Sequence, residues 1–322
     1  MIGARQLREV IELAKDAGAK IVLLGDTKQQ SSVAAGDALS TVVAVTGSAR
    51  LDVVRRQSSQ AEREAVPMFF DGRAGEALEV YRDRIAIETG RETTHARLVA
   101  DWHASRQAHS PEEDPKRYSH LILALDKATV RDLNRLAHDA LHNSGELGAD
   151  ALRVCTMDSQ SETDIVEFRA GDEVVFRANS KADGVYNRTP GRVECVDLEA
   201  GTLDVVTSDG RRITVDPEDD RWLHKSGGLA LQYAYATTIN SSQGLTRGRV
   251  FVHDHVGLDR RTAGVAMSRH REDCRVYVDR EARHEVMMRQ TDATEWRHIN
   301  SFGDLECLGR IATAWSRESD KA

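Results

Sequence analysis

Polar residues follow aliphatic segments at three places in the chain, and each place could bind a ligand. Gly25 and Asp26 follow the aliphatic run "KIVLL", and Arg56 closes the short segment "RLDVVR". The third place is the polar segment 235–248, "YATTINSSQGLTRG", with Arg269 shortly after it. In open α/β sheets, ligands bind beyond the carboxyl ends of the strands. Each signal alone is more often a turn or a solvated side chain, so their order along the chain decides the interpretation.

The segments that would position these residues alternate between helix and strand. A helix is predicted over 5–17, where apolar residues recur at helical spacing, and the all-apolar segment 19–24 is typical of a strand buried on both faces. The pattern returns in "SHLILALD", a second buried strand, and in the amphipathic helix "KATVRDLNRLAHDALHNSG". Further helices are predicted between 58 and 81 and in "RETTHARLVADWHASRQ". This alternation predicts a doubly wound α/β sheet.

The pattern changes near Ile165, where short strands replace the helices. "DEVVFRAN", "GRVECVDL", "TLDVVTS" and "RRITVD" are strand-like and are separated by the turn signals "EAG" and "SDG". They predict a small antiparallel meander or barrel of about sixty residues, a size typical of an inserted module. After Trp222 the α/β pattern returns, so the module interrupts an α/β domain.

Composition narrows the class of protein. The net charge of −8 argues weakly against a general nucleic-acid binder, although a locally basic groove stays compatible with it. The four cysteines are widely spaced, which favours a reduced, cytoplasmic protein over a disulfide framework. No apolar run is long enough for a membrane span, and we expect no membrane partner. The histidine pairs His138/His142 and His253/His255 lack an evident third ligand, so we predict no metal site.

Four segments, in order, resemble the C-terminal motifs of superfamily 1 DNA helicases. "LLGDTKQ" resembles motif III, "RRQ" motif IV, "ATTINSSQGLT" motif V and "VAMSRHR" motif VI. The resemblance is to the branch that contains the exonuclease-V alpha subunit and the helicase half of conjugative relaxases, and it spans about 5–278. It implies a RecA-like P-loop motor fold, with the small β-barrel inserted between motifs IV and V.

The resemblance assigns nucleotide-binding roles to residues of motifs III, IV and VI. It implies that Gln29 is the amide that senses the γ-phosphate of ATP, and that Arg56 and Arg269 close on that phosphate. Such arginines suit this task because their rigid forks make bidentate contacts and stay charged at physiological pH. Gly25, Asp26 and Gly244 complete the set that the resemblance places around the nucleotide.

Motif V implies contacts with single-stranded DNA. Hydroxyl and backbone donors position a phosphate backbone without reading its sequence, as a translocating enzyme requires. The implied DNA-binding residues are Thr237, Thr238, Asn240, Ser241, Ser242 and Gln243. Asn240 and Ser241 stand where the family has His and Lys, and the missing lysine removes one expected phosphate contact.

Two elements of a complete motor are missing from this sequence. It contains no GxxxxGK[ST] phosphate loop and no Asp-Glu pair ahead of motif III, so the Mg²⁺ ligands are expected to lie outside this chain. In the family the Asp-Glu pair lies just upstream, and Met1 matches the Met of its Asp-Glu-Ala-x-Met pattern. We therefore expect no ATPase activity from the chain alone. The predicted domains are the end of the first motor (1–48), the second motor (49–160 and 226–290), the inserted barrel (161–225) and a C-terminal tail (291–322).

Two functions stay open at this point. One is part of a 5′-to-3′ ATP-dependent helicase that works with a missing N-terminal motor, from a conjugative relaxase or a recombinational repair enzyme. The other is a non-catalytic module that binds single-stranded DNA or docks on a relaxase. An unrelated α/β domain with a β insertion is the third interpretation of the same pattern.

Overall fold

The computed structural model describes residues 3–25, 38–49, 55–109, 119–157, 163–224, 227–290 and 302–318. Within these ranges the helices are α1 (Ala4–Asp16), α2 (Ala38–Thr46), α3 (Gln60–Phe70), α4 (Ala74–Glu79), α5 (Arg91–Ala108), α6 (Lys127–Asn143), α7 (Arg260–Met267), α8 (Arg280–Gln290) and α9 (Asp304–Ser316). The strands are β1 (Ile85–Glu88), β2 (His120–Ala124), β3 (Ala151–Met157), β4 (Thr163–Arg169), β5 (Glu173–Phe176), β6 (Pro190–Asp197), β7 (Thr202–Thr207), β8 (Arg212–Val215), β9 (Leu231–Tyr233), β10 (Ala236–Thr238), β11 (Arg247–His253) and β12 (His270–Asp279).

The chain divides into two compact units. Unit 1 comprises Met1–Gly90 and Ile239–Ala322, and unit 2 comprises Arg91–Thr238. The predicted division into two motor domains, an inserted barrel and a tail stays a prediction.

Parallel strands form the centre of unit 1. β12 pairs with β1 on one side and β11 on the other, and both pairings are parallel. α3 packs on α4 and α7, and α9 packs on α4, α7 and α8. Phe69 of α3 lies 5.9 Å from Trp315 of α9 between ring centroids, and both side chains are buried. Part of the predicted tail is therefore core of this unit.

The beginning of unit 1 differs from the prediction. α1 forms as expected, but no residue of 19–25 belongs to a strand. Val22 and Leu24 are 72% and 93% exposed, so the prediction of a strand buried on both faces is wrong for the chain as described. The physical reason is that a strand needs hydrogen-bonding neighbours, and the described part of the chain supplies none for this segment.

Unit 2 begins with helices packed on a short parallel pair of strands. β2 is buried along its whole length and pairs in parallel with β10, with Leu123 opposite Thr237. The buried Asn134 of α6 accepts from the backbone N–H of Ala236 at 2.8 Å and donates to its carbonyl at 3.1 Å. These two hydrogen bonds fix the start of β10, and hence the start of motif V, against α6.

The short strands form two antiparallel sheets, as predicted. β3 pairs with β4, and the second sheet has the order β8-β7-β6-β5-β9. Their inward side chains share a core that includes Phe168, Phe176, Val193 and Trp222. We call 151–233 the β module; the closure of its sheets into a barrel stays a prediction.

None of the helices in the described ranges is both long enough and apolar enough to cross a membrane.

Candidate functional site

A glycine allows motif VI to lie close to α3. A Cβ atom on Gly264 of α7 would lie 2.6 Å from the ring of Phe70, so only glycine fits at this crossing. α7 ends at Met267, and the backbone N–H of Ser268 still donates to the carbonyl of Gly264 at 3.1 Å. The chain then enters β12, which places Arg269 at the junction between helix and strand.

Arg269 is held by oxygen atoms of its own motif and of motif V. Its Nε donates to the carbonyl of Val265 at 2.9 Å, and its Nη2 donates to the Ser268 hydroxyl at 2.7 Å. Nη1 faces the carbonyls of Ser242 and Leu245 at 3.5 and 3.4 Å. The side chain is only 2% exposed. Motifs V and VI therefore meet at this guanidinium.

Arg56 reaches the same junction from motif IV. Its Nη1 donates to the carbonyl of Ser268, the residue whose hydroxyl accepts from Arg269. Burial, with the charge of Arg56 as a second cause, lowers the pKa of Arg269 to about 10. Burial and then the charge of Arg271 lower the pKa of Arg56. The structure thus brings together the two arginines that the sequence singled out.

No carboxylate of the described residues forms a salt bridge with Arg56 or Arg269. Arg269 stays charged at neutral pH, because its pKa of about 10 is still well above 7. The two positive guanidinium groups repel each other more strongly because they are partly buried, and an anion bound between them would offset that repulsion. The arrangement fits a polyphosphate better than a neutral ligand.

Motif IV is attached to motif VI by contacts that sequence reasoning missed. The buried Gln57 donates from Nε2 to the carbonyls of Ser268, at 3.3 Å, and His270, at 3.0 Å. The backbone N–H of Ser58 donates to the carbonyl of Arg271 at 2.8 Å. Gln57 follows Arg56 directly in the motif "RRQ", and this position was the signal by which sequence reasoning could have found it.

A buried ion network behind the arginines was also missed. Glu62 of α3 accepts from Arg84 at 2.5 Å and lies 3.1 Å from His270 Nε2. Arg84 also donates to Asp273 at 3.1 Å. Burial raises the pKa of Glu62, but the hydrogen bonds and charges of His270 and Arg84 outweigh it and hold the pKa below its ordinary value. Because His270 follows Arg269 directly, this network anchors the strand that carries the arginine.

The predicted DNA-binding residues occupy different settings. Thr237 and Thr238 are half-buried in β10 of unit 2. Asn240–Ser242 form one turn of 3-10 helix in unit 1, and the buried Ser242 donates its hydroxyl to the carbonyl of Ile239 at 2.7 Å. Asn240 is exposed, whereas Ser241 and Gln243 are half-buried. Gly244 is exposed with φ +86°, a conformation that glycine adopts without strain.

Motif III is described only in part. A Cβ atom on Gly25 would lie 2.5 Å from Leu39 of α2, which explains glycine at this position. Asp26 and Gln29 lie outside the described residues. Among those that are described, no group of three or more His, Cys, Asp or Glu side chains could hold a metal ion. His138 and His142 stack on each other with ring centroids 6.5 Å apart.

Comparison with known proteins finds one family model and several relatives. A family model described as an AAA domain matches residues 1–92. The chain is 33% identical over 279 residues to the conjugal transfer protein TraA of Rhizobium radiobacter, covering 86% of this chain and 24% of that protein. It is also 33% identical over 284 residues to a probable TraA of Sinorhizobium fredii, covering 86% and 23%.

These matches support a relation between the chain and the superfamily 1 helicases of the relaxase and exonuclease-V branch. It spans about a quarter of the length of the curated relatives that it matches.

Solved structures agree on the fold. Pif1 helicase from Bacteroides in complex with ADP-AlF3 and ssDNA has a TM-score of 0.50 at 17% identity, covering 91% of this chain and 72% of that chain. Bacteroides Pif1 bound to ssDNA has a TM-score of 0.51 at 16% identity, covering 91% and 71%. The likeness confirms the RecA-like helicase fold.

Proposed function

We propose that this chain is the C-terminal part of an ATP-dependent DNA helicase that moves 5′ to 3′ and belongs to a conjugative relaxase. The observation that carries the proposal is the pair formed by the half-buried Arg56 and the buried Arg269, which no described carboxylate neutralises. The γ-phosphate of ATP is the anion that this pair would hold, and Gln29 is the amide that would sense it. Gly25, Asp26 and Gly244 complete the proposed nucleotide site.

The comparisons support this substrate class. Relatives that are 33% identical to the chain are conjugal transfer proteins, and the Bacteroides Pif1 helicase of similar fold has been solved with ADP-AlF3 and with ssDNA. We propose that single-stranded DNA lies along motif V, on Thr237, Thr238, Asn240, Ser241, Ser242 and Gln243. Since the Ser242 carbonyl faces Arg269, a strand moving over motif V could change the position of the arginine.

The proposal treats the chain as incomplete. The sequence lacks the GxxxxGK[ST] loop, whose backbone and lysine hold the β-phosphate, and the carboxylate pair that holds Mg²⁺. We propose that an N-terminal motor region supplies both. The arginines of this chain would then contribute charge stabilisation to phosphoryl transfer, while the other region would bind the nucleotide and metal.

An ATPase assay with single-stranded DNA tests this assignment. The purified chain is expected to turn over no ATP, and a longer product that includes the missing motor is expected to do so. Replacing Arg269 by Gln in the longer product should lower the rate by orders of magnitude. Arg82→Gln, at an exposed arginine paired with Glu79, is the matched control. Robust turnover by the isolated chain, or an unchanged rate for the Arg269 variant, would contradict the proposal.

The second candidate function is a non-catalytic module that binds single-stranded DNA or docks on a relaxase. The DNA sequence ahead of the Met1 codon separates the two: an in-frame motor supports the helicase, and a stop codon supports the module. Under either function we place the protein in the cytoplasm, in agreement with four free cysteines.

A further inference from the structure

The β5–β6 loop (177–189) of the β module is held rigid by its own hydrogen bonds. Ser180 and Val185 exchange backbone hydrogen bonds of 2.8 Å, and the side chain of Asn179 accepts from the backbone N–H of Asn187 at 2.8 Å. Arg211 donates to the carbonyl of Asp183 at 2.8 Å. A loop fixed in this way presents its exposed side chains in one arrangement, which lowers the entropy lost on binding.

The two arginines at the ends of this loop have no carboxylate partner among the described residues, and the backbone N–H of Arg188 donates to the carbonyl of Phe176, the residue before Arg177, at 2.7 Å. Arg177 is half-buried, and its Nε donates to the side-chain oxygen of Gln232 at 2.8 Å. Burial, and then the charge of Arg188, lowers the pKa of Arg177. Neither arginine takes part in a salt bridge with a described residue, whereas Asp183 of the same loop is paired with Arg221 at 3.2 Å. The loop therefore offers positive charge that the β module leaves unneutralised.

Arg188 adopts a strained backbone conformation. Its φ of +77° makes it the only described non-glycine residue in the left-handed region, where a side chain with a Cβ costs about 1–2 kcal/mol. Its backbone N–H donates to the carbonyl of Phe176 at 2.7 Å, which holds this conformation. Strain of this kind at an exposed arginine is a reason to look for a binding role.

An exposed aromatic ring lies two residues away. Tyr186 is 58% exposed, the most exposed aromatic side chain among the large hydrophobic residues of the described chain. An exposed flat ring can stack on a base, and arginines of the same loop can contact the adjoining phosphates. An acidic peptide would satisfy the arginines but would leave the ring without a function.

We propose that Arg177, Tyr186 and Arg188 form a second contact site for single-stranded DNA, on the β module and apart from motif V. The site recognises the phosphate backbone and any base, since it presents no set of donors and acceptors that matches one base edge. The choice of single-stranded DNA as the ligand rests on the proposed function. The site itself is inferred from the rigid loop, its arginines without carboxylate partners and its exposed tyrosine.

Binding of the full chain to a fluorescent oligo-dT, measured by anisotropy at several salt concentrations, tests the site. Arg188→Gly should bind several-fold more weakly and should reduce the slope of log K against log salt by about 0.7, the value for one phosphate contact with a single strand. Arg177→Gln should act in the same direction. Tyr186→Ser should weaken binding about fivefold or more without changing the slope.

The matched control is Arg212→Gln in the same module, because Arg212 is exposed and paired with Glu194 at 2.5 Å. Its affinity and salt slope should equal those of the unaltered chain. Equal binding by Arg188→Gly and the unaltered chain would overturn this inference alone. An unaltered chain that binds no oligo-dT at low salt would overturn both this inference and the proposed DNA function. Equally tight binding of a blunt duplex, unaffected by Tyr186→Ser, would overturn the stacking role and the preference for a single strand.

Discussion

Each of the two units contains an arginine pair without a carboxylate partner, and the two pairs are held differently. In unit 1, Arg269 is almost fully buried, and backbone carbonyls and a hydroxyl fix its guanidinium. In unit 2, Arg188 is exposed on a loop and only its backbone is fixed. A buried, fixed guanidinium such as that of Arg269 suits a ligand of one shape such as a triphosphate, whereas an exposed one such as that of Arg188 suits a strand that must slide past. Similar charge thus serves different ligands because burial differs.

A buried carboxylate in each unit also differs in how its charge is compensated. Glu62 of unit 1 has Arg84 and His270 as partners and stays ionised. Asp172 of unit 2 is fully buried, and its hydrogen-bond partners are the Tyr235 hydroxyl at 2.5 Å and a backbone N–H at 2.7 Å. Burial raises its pKa to about 7 despite these hydrogen bonds. Opposite charge therefore compensates the buried carboxylate of Glu62, whereas Asp172, with His138 Nε2 3.6 Å from its Oδ2, keeps its proton up to about pH 7.

The largest expected effect is at Glu62. Glu62→Ala would leave the buried His270 without its carboxylate, while the half-buried Arg84 would keep Asp273 at 3.1 Å. Because the broken Glu62–His270 contact is fully buried, the change should lower the free energy of unfolding by about 3–5 kcal/mol. Urea denaturation measures the change. Glu76→Gln is the control, because the Arg73–Glu76 pair is more than half exposed on both sides, and it should leave the free energy of unfolding nearly unchanged. A small effect at Glu62 would mean that the network does not support the arginine pair.

The second prediction concerns pH and Asp172. Folding raises the pKa of this carboxyl from 3.8 to about 7, so the folded chain keeps a proton that the unfolded chain releases between about pH 4 and 7. Stability should therefore decrease as pH rises through this window, by at most about 4 kcal/mol at 1.36 kcal/mol per pKa unit. Asp172→Asn should remove this slope in urea denaturation, and the exposed Asp150→Asn should keep it. Identical slopes for both variants would show that Asp172 is ionised in the folded chain.

The third prediction concerns the anion expected between Arg56 and Arg269. Tripolyphosphate or ATP should raise the melting temperature, with a stabilisation of about 2.7 kcal/mol at a hundred times the dissociation constant. Arg56→Gln and Arg269→Gln should each abolish most of this shift in a thermal-melt titration. Arg188→Gly, at the other pair, should leave it unchanged. If the Arg188 variant lost the shift and the Arg269 variant kept it, the roles of the two pairs would be reversed.

The smallest expected effect is the strain at Arg188. Arg188→Gly should raise the free energy of unfolding by about 1 kcal/mol, because glycine adopts the left-handed conformation without a steric cost. Arg188→Ala keeps a Cβ in the same conformation and should bring no such gain. Chemical denaturation of both variants measures the difference. A destabilised glycine variant would mean that the Arg188 side chain stabilises the fold and has no need of a ligand.

Much of the fold could be predicted because its signals are local. The helices between 58 and 81, the helix after Gly90 and the buried strand over 120–124 depend on apolar periodicity, and the structure confirms them. Burial of the segment 19–25 could not be predicted, because burial depends on neighbours that the segment itself does not encode. β9 shows the same limit: it completes the sheet of the β module from beyond Trp222, where the sequence pattern had returned to α/β.

In the candidate site, too, residues of local motifs could be predicted, and contacts between distant residues could not. Arg56 and Arg269 were found because their motifs are contiguous in sequence, and the structure confirms that both reach Ser268. Glu62 and His270 were missed, since they are 208 residues apart and only folding brings them together. The roles of Asp26 and Gln29 stay predictions, because both lie outside the described residues.

The sequence by itself determined the residue types that can bind phosphate and their order along the chain, because short motifs keep their chemistry wherever they are placed. Only the tertiary structure decided which charges remain without a partner. Whether a guanidinium is neutralised depends on side chains that are distant in sequence and near in space. That is why the pair at Arg56 and Arg269 could be anticipated, whereas the pair at Arg177 and Arg188 could not.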